Sequence, residues 1–98
     1  MVVDLPNAIL RSAGEIGQDF AGWRKILGLT AAQVADRADI SRDTLRKLEH
    51  GDPGVSFHVV LRVARALGIL ETLTKALEPL DTDLGRARAG QLERKRIR

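Results

Sequence analysis

The chain has 98 residues, 44% hydrophobic and 30% charged, with no cysteine and a net charge of +3. This describes one small folded domain with a modest core, and it excludes a disulfide framework and thiolate metal sites. No apolar run approaches the roughly 18 residues of a membrane span, and the start, MVVDLPNAIL, lacks a basic n-region and a cleavage site, so a cytoplasmic location is expected.

The charge is unevenly placed. Residues 1–78 hold 10 Lys/Arg and 10 Asp/Glu, whereas residues 79–98 hold 6 and 3. The whole excess therefore sits in the tail, and nucleic-acid binding by the remainder must rest on local placement of charge. The aromatic residues are Phe20, Trp23 and Phe57. Three are too few for a single-strand stacking platform.

Nothing alternates long enough for a strand, and the spacing of apolar residues is helical throughout. Asp4 can cap a first helix, with Pro6 at an early helical position. Ile16, Phe20, Trp23 and Leu27 mark one face of that helix, which ends at Gly28. Gly14 and Gly17 leave open whether residues 5–14 continue it, so residues 1–15 are set apart as an N-terminal extension.

Thr30 and Gln33 form a T-x-x-Q capping box. The helix it opens carries Val34, Ala35 and Ala38, with Ala35 at a crossing position. Asp39 and Ile40 turn the chain, and Ile40 can plug the space between helices. Ser41 caps a third helix with Leu45 and Leu48 facing inward, ended by a left-handed Gly51. Asp52, Pro53 and Gly54 make a loop. Ser56 caps a fourth helix whose buried stripe is Val60, Val63, Ala64 and Leu67, with Gly68 at its end. Leu70, Leu73 and Leu77 mark a fifth, stopped by Pro79. The basic tail, 79–98, reads as extended or partly helical.

Two short helices joined by a tight turn make a helix-turn-helix unit over residues 30–50. The second helix of such a unit fits the major groove, about 12 Å wide. With Leu45 and Leu48 inward, its outer face carries Arg42, Asp43, Arg46 and Lys47. Arg42 and Arg46 stand four apart and project from one side. A guanidinium fork can bond O6 and N7 of guanine, and Asp43 can accept from cytosine N4 or orient a neighbouring cation. Base contacts are therefore assigned to Arg42, Asp43 and Arg46. Ser41, Thr44, Lys47, His50 and Ser56 are assigned to phosphate. An isolated basic helix would read as solvated surface; the capped helix and apolar turn before it tip the balance.

No nucleophile has an evident base, and no glycine-rich loop could cradle a phosphate. Asp81 and Asp83 read as a turn or cap. His50 and His58 have no clustered ligands beside them. No catalysis, metal, cofactor or small-molecule ligand is expected.

Residues 16–78 resemble the Xre/lambda-repressor-like helix-turn-helix family in WRKILGLTAAQVADRADIS, RDTLRKLEHG and VVLRVARALGI. The resemblance implies an all-α, compact five-helix domain that binds double-stranded operator DNA as a two-fold dimer, with Arg42–His50 as recognition helix. It also implies a structural ion pair between Arg24 and Glu49. Ala31 departs from the glutamine many relatives place there, and the loop DPGVS carries an acid where Asn or Lys is frequent. Residues 66–98, ALGILETLTKALEPLDTDLGRARAGQLERKRIR, are similar to the C-terminal part of HipB-like antitoxin regulators. That similarity implies an autorepressor that neutralises a HipA-like kinase toxin and resides with the nucleoid. A stand-alone repressor and a protein-interaction adaptor remain the alternatives.

So small a domain cannot easily bury every apolar residue of its fifth helix. A homodimer patch is expected from some of Ile69, Leu70, Leu73, Leu77 and Leu80, aided by Phe57 or Val59. The tail's Arg86, Arg88, Arg94, Lys95, Arg96 and Arg98 have three readings: a solvated end, phosphate attraction, or docking on a partner anchored by Leu92 and Ile97.

Overall fold

The computed structural model describes residues 4–92. Among them the fold is all-helical, without a strand. Helix α1 spans Asn7–Ile26, α2 Ala31–Ala38, α3 Arg42–Glu49, α4 Phe57–Ala66 and α5 Leu70–Ala76. A 3-10 turn, Pro79–Asp81, and a short α6, Asp83–Ala87, follow. Helical backbone resumes at 89–92. Of the basic tail residues, Arg94, Lys95, Arg96 and Arg98 lie outside the described residues, as does Ile97.

Helix α1 runs unbroken through Gly14 and Gly17, so residues 7–14 belong to it and are not a separate extension. Pro6 stands just before it rather than inside it, and no side chain caps it, Asp4 included. The glycines are there for proximity. A Cβ on Gly17 would collide with the carbonyl oxygen of Leu48 and come within 2.8 Å of that of Glu49. A Cβ on Gly51 would lie 2.6 Å from the Cα of Gly14. The backbone of α1 thus crosses the end of α3 with no side chain between them. Gly51 also needs its left-handed φ of +81° to end α3.

The core is drawn from four helices. Phe20 comes from α1, Val34, Ala35 and Ala38 from α2, and Leu45 and Leu48 from α3. Val59, Val63 and Ala64 come from α4, with Leu67 at its end. Ile40, Ile69, Leu70 and Leu73 pack against this cluster. Two expectations change. Of the α1 stripe only Phe20 is buried, while Ile16, Trp23 and Leu27 are 51%, 40% and 46% exposed. The close approach at Gly17 sets the helix's rotation, which turns the rest of the stripe outward. On α4, Val59 is buried and Val60 only half-buried, so Val59 is unavailable to a dimer patch. Ser56 precedes α4 as expected, but its hydroxyl makes no capping bond.

Helices α1 to α4 end alike, in a left-handed residue: Gly28, Asp39, Gly51 and Gly68. The next amide then reaches back five residues, as from Leu29 to Arg24, 3.0 Å, and Ile40 to Ala35, 3.0 Å. Leu29, Ile40 and Ile69 follow three of these ends and carry an apolar side chain to the core. The closure that stops a helix thereby also aims the next segment inward.

Gly17→Ala is expected to destabilise the fold by about 1–3 kcal/mol through overpacking, although alanine is the better helix former. Gly22→Ala, in the same helix with nothing within 4 Å of its Cβ, should stabilise by about 0.5–1 kcal/mol. Urea unfolding of the two variants checks for opposite signs.

Candidate nucleic-acid interface

The unit begins with a complete capping box. Gln33 N donates to Thr30 Oγ1 at 3.1 Å, and Thr30 N to Gln33 Oε1 at 2.9 Å. At the other end of α2, Asp39 takes a left-handed φ of 56° and reverses the chain. An aspartate tolerates that region better than most side chains. Ile40 follows with its amide tied to α2 and its side chain against the core. Ser41 then starts α3: its Oγ accepts from Thr44 N at 3.0 Å and donates to Thr44 Oγ1 at 2.8 Å.

Burial of Leu45 and Leu48 fixes which side of α3 faces out. Arg42, Asp43, Arg46 and Lys47 all lie on the exposed side. Asp43 is the hub of the face. It accepts from Arg46 Nη2 at 2.6 Å and lies 3.4 Å from Lys47 Nζ. The hydrogen bond from Arg46, then that from Lys47, hold its carboxyl below the usual carboxylate range. Asp43 therefore stays ionised at neutral pH and partly offsets both cations. Arg42 makes no ion pair among the described residues. Arg42 and Arg46 flank a hollow of about 370 Å³ that Ala31 and Glu49 also line.

A second hollow, about 410 Å³, separates the starts of α3 and α4. Ser41, Thr44, Lys47 and Ser56 line it together. Ser56's hydroxyl, unused in capping, is free to bond a ligand there. His58 and Asp52 also line this hollow. The sequence offers one signal for these two residues, their closeness in the chain to Ser56. Asp52 Oδ1 accepts from Gly54 N at 2.8 Å, which fixes the loop. His58 Nδ1 accepts from Arg62 Nε at 3.1 Å. His50 stands apart: it lines a different hollow with Gln18, Arg24 and Lys25, and its Nδ1 is 2.8 Å from the Arg46 carbonyl oxygen.

The structure brings Arg24 and Glu49 into a two-pronged pair. Arg24 Nε donates to Glu49 Oε2 at 2.7 Å and Nη2 to Oε1 at 3.0 Å. Nη1 reaches the Leu29 carbonyl at 3.4 Å. The side chains are only 17% and 11% exposed. The hydrogen bond to Glu49 leads the rise in the Arg24 pKa, against the opposing effect of burial. One arginine thus joins α1, the turn into α2, and the last residue of α3.

Of the patch expected on α5, Ile69, Leu70 and Leu73 pack on the core, while Phe57 and Leu77 are 73% and 82% exposed. In the tail, Arg86 is engaged locally: Nη1 donates to the Leu80 carbonyl at 2.9 Å and Nη2 to Asp83 at 2.6 Å. Arg88 is exposed.

Two helices joined by a left-handed turn, the second offering a charged face, define a helix-turn-helix protein. The helix-turn-helix domain family matches residues 10–77, and the chain belongs to it. A protein of Methanothermobacter thermautotrophicus named an uncharacterized HTH-type transcriptional regulator is 44% identical over 45 residues. That stretch is 46% of this chain and spans 65% of the relative's own length. No solved structure matches the chain.

Removing the Arg24 guanidinium leaves the largely buried Glu49 carboxylate without its partner. Arg24→Ala is expected to cost about 1.5–3 kcal/mol, lowering Tm by about 10 °C. Arg46→Ala, which breaks an exposed pair, should cost under about 1 kcal/mol. Calorimetry of both variants tests the contrast.

Proposed function

We propose that the protein is a DNA-binding transcription regulator that reads duplex operator DNA with α3. The observation that carries this is the exposed face of α3, where Arg42 and Arg46 line one hollow and Lys47 lines the next with Ser41 and Ser56. Arg42 and Arg46 read base edges, and Asp43 either accepts from cytosine or sets the pose of Arg46. Ser41, Thr44, Lys47 and Ser56 take phosphate, and Arg24 with Glu49 holds the reading helix in place. His50 reaches phosphate only on the far side of α3, near Lys25. A homodimer would present two such helices about 34 Å apart, one turn of DNA. Membership of the helix-turn-helix family and the regulator name of the relative support this reading.

The finer proposal is a repressor of its own operon that also serves as a HipB-like antitoxin, binding a HipA-like kinase toxin in the cytoplasm. Its support is the resemblance of residues 66–98. A stand-alone repressor would share the DNA chemistry and lack the kinase partner. An adaptor without specific DNA binding is favoured by the equal numbers of acidic and basic residues over 1–78 and by Ala31.

The test is fluorescence anisotropy on DNA from upstream of the protein's own gene, with scrambled duplex as competitor. Arg42→Ala and Arg46→Ala should each cost about 1–3 kcal/mol and relax specificity at one base position. Lys47→Ala should weaken all duplexes about equally and reduce the salt dependence. Binding indifferent to Arg42 and Arg46 would favour the adaptor. Pull-down of a co-expressed kinase from the neighbouring gene then separates antitoxin from stand-alone repressor.

A further inference from the structure

A largely apolar surface lies where α1, α4 and α5 meet, with no residue of α3 in it. A groove of about 460 Å³ runs between α1, α4 and α5. Ile16 and Trp23 form one wall, Leu61 and Leu73 lie along it, and Phe57 and Leu77 stand at the rim. Ile16, Trp23, Phe57 and Leu77 are 40–82% exposed. Large apolar side chains gathered in one place mark an interaction surface, where scattered ones would not.

The same chain carries a second unpartnered apolar feature, its C-terminal arm. The 3-10 turn and α6 fold on each other. Thr82 Oγ1 donates to the Pro79 carbonyl at 2.7 Å, and Gly85 N donates to Thr82 Oγ1 at 2.9 Å. Arg86 ties Asp83 to the Leu80 carbonyl. This internal bonding keeps the arm compact while leaving Leu80 and Leu84 43% and 63% exposed. Neither leucine belongs to the core or to the side chains packed on it. The arm leaves the domain directly after Leu77, at the groove's rim, and does not cover the groove.

We infer that the arm of a second copy of this chain seats Leu80 and Leu84 in the groove, reciprocally, to form a two-fold dimer. Two features select this occupant. Groove and arm are complementary apolar surfaces that one chain leaves uncovered, and a two-fold axis buries both sets at once. One pair of charges also matches: Asp19 lies in the groove lining and Arg88 on the arm, and neither makes an ion pair among the described residues. The inference rests on the dimer named in the proposed function and specifies how it is built.

The test is sedimentation equilibrium on the full chain, with circular dichroism to verify folding. The wild type should dimerise in the micromolar range. Leu80→Asp/Leu84→Asp removes the arm's contacts, and Phe57→Asp spoils the groove; all three positions are solvent-exposed, so folding should persist. Each variant alone should dimerise at least tenfold more weakly. An equimolar mixture should form a heterodimer more tightly than either variant pairs with itself, because it retains one sound arm in one sound groove. A fully dimeric arm variant overturns the inference. So does a mixture with no gain, the result for grooves that pair face to face or that take their own arm. A wild type that stays monomeric overturns the dimer altogether and leaves DNA reading by α3 untouched.

Discussion

The crossing of α1 over the end of α3 sets everything else. Gly14, Gly17 and Gly51 bring the two backbones together with no side chain between them. Arg24, two turns further along α1, then clasps Glu49 in the last turn of α3. The glycines give proximity and the ion pair gives orientation. An ion pair alone is a weak source of net stability, but here it joins the close approach at Gly17 in fixing a rotation. That rotation puts Leu45 and Leu48 inward and Arg42 and Arg46 outward. It also turns Ile16 and Trp23 away from the core, so a single contact creates both the charged face and the apolar groove.

The charged face is tempered from within. Asp43 bridges Arg46 and Lys47, leaving Arg42 as the cation that face does not pair. A guanidinium already held by a carboxylate is partly ordered before it meets a base. The associated loss of side-chain freedom is then smaller on binding. The same carboxylate lowers the pull of the face on any phosphate. Both effects favour discrimination over grip.

Much of the helical framework was legible in the sequence because its signals are local. The Thr30–Gln33 box, the Ser41 cap and the Gly28, Gly51 and Gly68 ends involve residues a few positions apart. Leu45 and Leu48 were legible by period alone. Arg24 and Glu49 lie 25 residues apart, and no spacing rule joins them; only family resemblance did. Continuity of α1 was hidden because glycine propensity counts against a helix and ignores what crosses it. The buried and open parts of the Ile16–Leu27 stripe were hidden for the same reason: periodicity finds a face but not what covers it. Asp52 and His58 reach the hollow between α3 and α4 from the connecting loop and the first turn of α4, a path that no local signal specifies.

Asp52 bears on how such a protein would search DNA. Its carboxylate sits in a hollow that Ser41, Thr44, Ser56, Lys47 and His58 also line, pinned there by the Gly54 amide. A fixed negative charge beside a phosphate path penalises every duplex by the same amount, whatever its bases. On the proposed reading, it shortens residence on wrong sites while the preference encoded by Arg42 and Arg46 is unchanged. A regulator built this way would sample DNA quickly and depend on a second reading head to stay.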